Sequence, residues 1–242
     1  MAQAQSPHRR NHLLASLAPA DFAALASHLE TVDLPVRHVV EAANKPIKHV
    51  YFPTSGIISV VASGPKNRQI EVGIIGPEGM SGISIVLGDD RSPNETFVQV
   101  AGAGVRILAG TLGSAMEKSP SMRLCFSQYA QAFMVQTAHT ALANGRAKVE
   151  ERLARWLLMA HDRLDGDELP LTHEFLALML GVRRAGVTTT LHFLESKKLI
   201  NLDRGRIAMR NRAGVEELAN GLYGVPEAEY RRLTGWRGKT QR

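Results

Sequence analysis

Apolar residues along this chain change their period twice, and the changes mark out its parts. Near the N-terminus Leu14, Leu17, Phe22, Leu25 and Leu29 fall on one helical stripe. From residue 32 to 108 the pattern turns β-rich in "VYFPTSGIISVV", "RQIEVGIIG" and "TFVQVAGAGVRIL", punctuated by Pro, Gly and Asn. Short strands at such spacing predict an antiparallel sandwich or barrel. Between them "GPEGMSGIS" (76–84) reads as a glycine-rich turn and "LGDDRSPNE" (87–95) as a polar loop. From about Thr111 the composition becomes helical for more than forty residues, with Ser119 and Pro120 as cap and first-turn residues. Met122, Phe126, Tyr129 and Phe133 recur at steps of four and three, and Gln136 and Thr140 continue the phase. That is the spacing of an interhelical seam; a helix laid on the chain's own barrel would show it too. Gly145 is expected to break the run before a second helix over 147–163, whose core stripe is Leu153, Trp156, Leu157 and Ala160.

The next segment combines three signals. Thr172 can cap a short helix over "HEFLALML", with Glu174 in its first turn, and Gly181 can end it in a left-handed conformation. A second helix follows with Val187, Leu191 and Leu194 on one face, which makes a helix-turn-helix. Ala177 is small where the two helices must approach, and Val182 joins Val187 in the core between them. "LINLDRGRIAMRN" then reads as a β-hairpin, with Ile200 and Leu202 facing Ile207 and Met209 across "DRG". A helix-turn-helix followed by a hairpin is a winged helix.

Charge sharpens this picture. Between Arg183 and Arg212 stand eight basic residues and two acidic ones, a surplus equal to the net charge of +6 for the whole chain. A neutral body with one basic segment points to a polyanion contact confined to that segment, set against the plainer reading of a solvated surface helix. The apolar fraction of 44% and charged fraction of 21% are those of an ordinary globular protein. No apolar run approaches the roughly eighteen residues of a membrane span. "RR" before "LLASLAPA" faintly suggests a secretion signal, but the helical stripe and Asp21 argue against it. A single cysteine, Cys125, excludes a disulfide framework or a four-cysteine cluster and fits a reduced cytoplasm.

The order of a β-rich domain, a long helix, "LTHEFLALMLGVRRAGVTTTLHFLESKKLI" and a basic hairpin resembles the CRP/FNR superfamily of bacterial transcription regulators, from about Asn11 to Arg212 and most strongly over 171–210. The resemblance implies an α+β chain: a cyclic-nucleotide-binding-type β jelly roll over 1–110, a dimerisation helix over 111–145 and a winged helix-turn-helix over 146–242. It implies a homodimer joined through Met122, Phe126, Tyr129, Phe133, Gln136 and Thr140, with double-stranded DNA as partner and RNA polymerase as a further candidate. The family's recognition helix commonly opens with serine or threonine, then Arg-Glu-x-Val and a later arginine. The matching run here is Arg183, Arg184, Ala185, Gly186, Val187, Thr188, Thr189, which keeps only Arg184 and Val187. Arg184 can donate to guanine O6 and N7, whereas Ala185 cannot accept from cytosine but could touch a thymine methyl. Thr188 and Thr189 can bond to bases or phosphates or face solvent. Arg183, Lys197, Arg204 and Arg206 are the expected phosphate contacts. The departure from the family pattern implies an unusual operator.

In the nucleotide-binding members a Gly-Glu-Leu turn holds the ribose and an Arg-Ser or Arg-Thr pair neutralises the cyclic phosphate. The candidate effector pocket is therefore Gly79, Met80, Ser81, Arg91 and Ser92, but Met80 cannot accept a ribose hydroxyl. A different anchoring places Asn94 and Glu95 at the phosphate, and Glu95 would repel it. Cyclic-nucleotide control is thus the weaker expectation, and no other effector is identified. His38, His49, His139 and His161 form no metal-ligand pattern, and no nucleophile or phosphate-loop motif is present, so neither metal, cofactor nor enzymatic activity is expected.

Overall fold

The computed structural model describes residues 10–65 and 68–239. After the short helices α1 (His12–Ala15) and α2 (Pro19–Ala26) come β1 (Glu30–Leu34), β2 (Val39–Glu41), β3 (His49–Pro53), β4 (Ile57–Gly64) and β5 (Arg68–Ile75). A turn and the single-turn helix α3 (Ile83–Val86) lead to β6 (Glu95–Val100) and β7 (Gly102–Leu108). The strands form two antiparallel sheets, ordered β1-β7-β3 and β2-β6-β4-β5. Leu34, Tyr51, Ile58, Val60, Ile75 and Val98 meet in the core between them. The strand pattern predicts such an antiparallel sandwich, and its form is the jelly roll that the resemblance implies.

The apolar run in β4 is nearly continuous because both of its faces are buried. Ile58 and Val60 point between the sheets, while Ile57 and Val61 join Ile74, Phe97 and Val100 in a second core shared with the C-terminal helices. Three helices follow the jelly roll: α4 (Ala109–Lys118), α5 (Pro120–Arg146) and α6 (Val149–Arg163). Ser119 caps α5 by accepting from the Met122 N–H, as its sequence implies. Gly145, however, lies within α5, which runs on to Arg146.

The seam read on α5 is used inside the chain. Met122, Phe126, Tyr129, Phe133 and Gln136 are all buried against the chain's own jelly roll and C-terminal segment. The Tyr129 hydroxyl donates to the Met80 carbonyl at 3.0 Å. A Cβ on Gly79 would collide with that hydroxyl, so the turn needs glycine for the helix to pass this closely. Gln136 Oε1 accepts from the Ile74 N–H at 2.7 Å, and its Nε2 donates to the Tyr230 hydroxyl at 3.1 Å. Thr140 is half-buried and donates to the Gln136 carbonyl. Large aromatic side chains at this spacing fill a barrel flank, which leaves none of the five buried residues for a second copy.

The remaining elements are β8 (Glu168–Leu169), α7 (His173–Leu180), α8 (Arg184–Ser196), β9 (Ile200–Asp203), β10 (Arg206–Met209), α9 (Arg212–Leu218) and α10 (Val225–Thr234). The irregular tail of the sequence thus contains α10, which packs along α5 and buries Tyr230. Arg163, at the end of α6, makes a buried ion pair with Glu78 of the 76–79 turn at 2.7 Å, and the rings of Tyr230 and Trp236 cover its guanidinium. Trp156 of α6 donates to Glu71 on β5 at 2.5 Å, beside Ser59, Gln99 and Met179. These contacts fix the C-terminal domain against the jelly roll.

Candidate nucleic-acid interface

Local chemistry sets the two helices of the helix-turn-helix. Thr172 caps α7 by accepting from the Phe175 N–H at 3.3 Å. Gly181 closes it at φ +60°, and the Val182 N–H bonds back to the Ala177 carbonyl at 3.0 Å. Val187, Leu191 and Leu194 of α8 are fully buried against Leu176, Met179 and Leu180 of α7. Arg152 of α6 donates to the Leu180 carbonyl, tying the end of α7 to the preceding helix. Behind α8, the wing sheet runs β8-β10-β9, with Ile200 opposite Met209 and Leu202 opposite Ile207.

Arg183 is the N-cap residue of α8 and Arg184 its first helical residue, and both are exposed. Neither makes an ion pair with any described residue. No side chain caps α8, so the first-turn N–H groups and two guanidiniums share one end of the helix. The Arg184 and Ala185 N–H groups, the positive end of the helix dipole and arginine together favour an anion, while the Gly186 N–H is bonded to the Arg183 carbonyl. Ala185 and Thr189 are exposed at the centre of the outward face, and Thr188 lies at its shoulder, half-buried. Thr188, Thr189 and Thr190 all turn their hydroxyls onto carbonyls four residues back. His173 Nδ1 lies 2.9 Å from the Thr188 hydroxyl. Burial, and then the charges of Arg184 and His192, hold this imidazole below its ordinary pKa, which favours the neutral ring.

The wing brings Arg204 and Arg206 to one exposed edge, but their charges differ in effect. Arg204 stands at the tip beside Gly205, which takes φ +74°. Arg206 pairs with Glu168 of β8 at 3.1 Å in the open. Lys197 caps the C-terminal end of α8 and lies over the Phe193 ring. Arg212, one of the eight basic residues counted in the sequence, is drawn inward to Asp162 at 2.9 Å and Glu216 at 3.0 Å. Three partners outside the counted window, Glu168, Asp162 and Glu216, therefore reduce the positive surface that a linear count suggests.

The expected effector pocket does not assemble as read. Met80 is fully buried in the core, Gly79 lies beneath Tyr129, and Arg91 pairs with Asp90 on the surface. Ser81 and Ser92 do meet, with Asn94, Thr96 and Phe133, around a cavity of about 130 Å³. The group that enters it is Glu41 of β2, which no sequence pattern singles out. The Gly82 N–H, at the start of α3, donates to Glu41 Oε1 at 2.6 Å. Burial raises the Glu41 carboxyl above its ordinary pKa, against the pull of its hydrogen bonds to Gly82, Ser81 and Thr96. Charged or protonated, it lines the cavity beside Ser81, Gly82 and Thr96. Drug-sized ligands need some 300 Å³ or more.

One face of α5 remains uncovered. Leu124, Ser127, Gln131, Met134, Ala138, Ala141 and Gly145 are all exposed and follow steps of three and four along the helix. Leu124 and Met134 are 60% and 55% exposed, large values for apolar side chains in the middle of a long helix. The helix therefore carries two seams in different phases, and the larger side chains of the buried one mask the other in the sequence.

Residues 151–218, from α6 to α9, match the Crp-like helix-turn-helix domain family. The fold is similar to that of FixK2 from Bradyrhizobium japonicum, with a TM-score of 0.69 and 15% identity over 78% of this chain and 96% of that one. A CRP-family transcriptional regulator from Thermus thermophilus gives a TM-score of 0.65 at 16% identity, over 79% of this chain and 97% of that one. The c-di-GMP-responsive global regulator CLP of Xanthomonas campestris gives 0.64 at 16% identity, over 79% and 99%. No curated protein sequence matches the chain.

Proposed function

We propose that the chain, whose residues 151–218 match the Crp-like helix-turn-helix domain family and whose fold is that of CRP/FNR-type regulators, is a transcription regulator of that superfamily that acts in the reduced cytoplasm as a homodimer on an inverted-repeat operator, without a cyclic nucleotide. The observation that carries the DNA reading is the uncapped start of α8, where Arg183 and Arg184 stand exposed beside a basic wing. With α8 in the major groove, Arg184 donates to guanine, while Arg183, Arg204 and Lys197 meet phosphates. Arg206 contributes less, because Glu168 offsets it. Two copies of α8 in successive major grooves require half-sites about one helical turn apart.

The exposed stripe of α5 supports the dimer. A second copy laid along it would cover Leu124 and Met134, and Ala138, Ala141 and Gly145 would let the two backbones approach closely. This seam replaces the one first read from Met122 to Thr140. Glu41 supports independence from cyclic nucleotides, since it supplies from within the chain the oxygens that an incoming anion would bring.

Selection of bound duplexes from a random library tests the whole reading, with an inverted repeat as the expected product. Arg184→Ala should then weaken binding to the selected duplex by about 1–3 kcal/mol while leaving binding to random duplex nearly unchanged. Equal losses on both would remove Arg184 from base reading. Calorimetric titration with cyclic AMP and cyclic GMP should give no saturable heat.

A further inference from the structure

Two features of α8 are left unexplained by the folding of the chain itself. The first is the disposal of the threonine hydroxyls. Thr188 Oγ1 donates to the Arg184 carbonyl at 3.2 Å and Thr189 Oγ1 to the Ala185 carbonyl at 3.1 Å. Each hydroxyl has one proton, and here it is committed to the backbone. The Thr188 oxygen is engaged a second time, by His173 Nδ1. With those protons committed, the groups the threonines have left for a partner are their methyls and the remaining oxygen lone pairs, and Ala185, one turn before Thr189, has only a methyl. The second feature is Gly186. It sits in the first turns of α8, and a Cβ there would meet nothing within 4 Å. Glycine costs a helix stability relative to alanine, and no packing in this chain requires it.

Thymine is the base that presents a methyl group in the major groove, and alanine and threonine methyls are its apolar partners. Resting on the DNA-binding reading above, we infer that α8 selects thymine C5-methyl groups beside the guanine read by Arg184, through the methyls of Ala185, Thr188 and Thr189, with Gly186 kept bare so that the duplex can approach the helix. His173 is a positioning residue in this scheme: it holds the Thr188 hydroxyl away from the bases. The competing chemistry is a threonine oxygen accepting from adenine N6 or cytosine N4, which a committed proton does not forbid.

The test uses the full-length protein and a duplex selected by it from a random library. The selected half-site should hold thymine within a few base pairs of guanine. Replacing that thymine by uracil removes only the methyl, and should weaken binding about four-fold per contacted base. Thr189→Val keeps the methyl and loses the hydroxyl, so it should bind within about two-fold of the parent. Thr189→Ser keeps the hydroxyl and loses the methyl; it should bind about four-fold less tightly and should no longer distinguish uracil from thymine at the contacted position. Gly186→Ala should raise the thermal midpoint by about 2 °C yet weaken duplex binding on the order of ten-fold. Equal affinity for the uracil and thymine duplexes, or a loss in Thr189→Val as large as in Thr189→Ser, would overturn methyl reading and leave DNA binding standing. A selection that returns no preferred duplex would overturn the DNA reading itself.

Discussion

Helices α5 and α8 both carry apolar residues at steps of three and four, yet the two patterns have opposite meanings. In α8 one face is apolar, and Val187, Leu191 and Leu194 bury it against α7 while the other face carries arginines and threonines. In α5 two faces follow the pattern. The one with Met122, Phe126, Tyr129 and Phe133 is buried in its own subunit, and the one with Leu124, Met134 and Ala138 is exposed. Periodicity locates a face that wants a partner, but it does not say which partner. The size of the side chains is the better guide here. Bulky aromatics fill the irregular flank of a barrel, while small residues suit the close approach of two like helices.

The comparison can be broken most forcefully from the inward face of α5. Phe126→Ala should cost about 3–5 kcal/mol in denaturant unfolding, because the ring is fully buried and the barrel flank cannot collapse onto the cavity. A loss below about 1 kcal/mol would mean that this face is not packed as described.

The next effect concerns Glu71, where α6 and α7 meet the sheet and so set α8 relative to α5. Burial, against hydrogen bonds from Ser59 and Trp156, pushes its carboxyl up to about 7. Ser59 has one proton to share between Glu71 Oε2 at 2.6 Å and Gln99 Oε1 at 2.5 Å, so a proton on Glu71 relieves the competition. A carboxyl raised this far stabilises the fold fully below about pH 4.5, and that contribution is lost as pH rises through about 7. Glu71→Gln keeps an acceptor for Trp156 and cannot ionise. It should therefore gain about 3 kcal/mol over the parent at about pH 8 and little at about pH 4, measured by unfolding at each pH. A parallel pair of pH profiles would contradict this.

The smallest effect on the fold, and the sharpest on assembly, belongs to the exposed seam. Met134→Asp should change monomer stability by less than about 0.5 kcal/mol, as surface substitutions do. If α5 forms the proposed dimer through this stripe, the variant should sediment as a monomer where the parent is dimeric, and should lose binding to a two-half-site operator. A variant that stays dimeric would place the interface elsewhere.

Much of the DNA-binding half was legible in the residues because its determinants are local. Thr172 and Gly181 end α7 through their own cap chemistry, and "DRG" turns the wing by the backbone freedom of Gly205. The jelly roll was legible as a class from alternating strands and turns. Its pocket was not, because Glu41 reaches Gly82 from a strand forty-one residues earlier and no local pattern announces that contact. The tail was illegible for the same reason: α10 is held by Tyr230 against Gln136 and by Arg163 between Tyr230 and Trp236.

The sequence alone determined most of the helices, strands and turns before the C-terminal tail, and where the basic groups lie along the chain, since these depend on neighbours within a few residues. Tertiary structure decided which face of α5 is buried, which of the basic residues are drawn into ion pairs, and that a carboxyl group lines the jelly-roll cavity. Each of those outcomes depends on groups brought together from distant parts of the chain. Burial and pairing are properties of the assembled neighbourhood, and a linear count of residues carries no record of it.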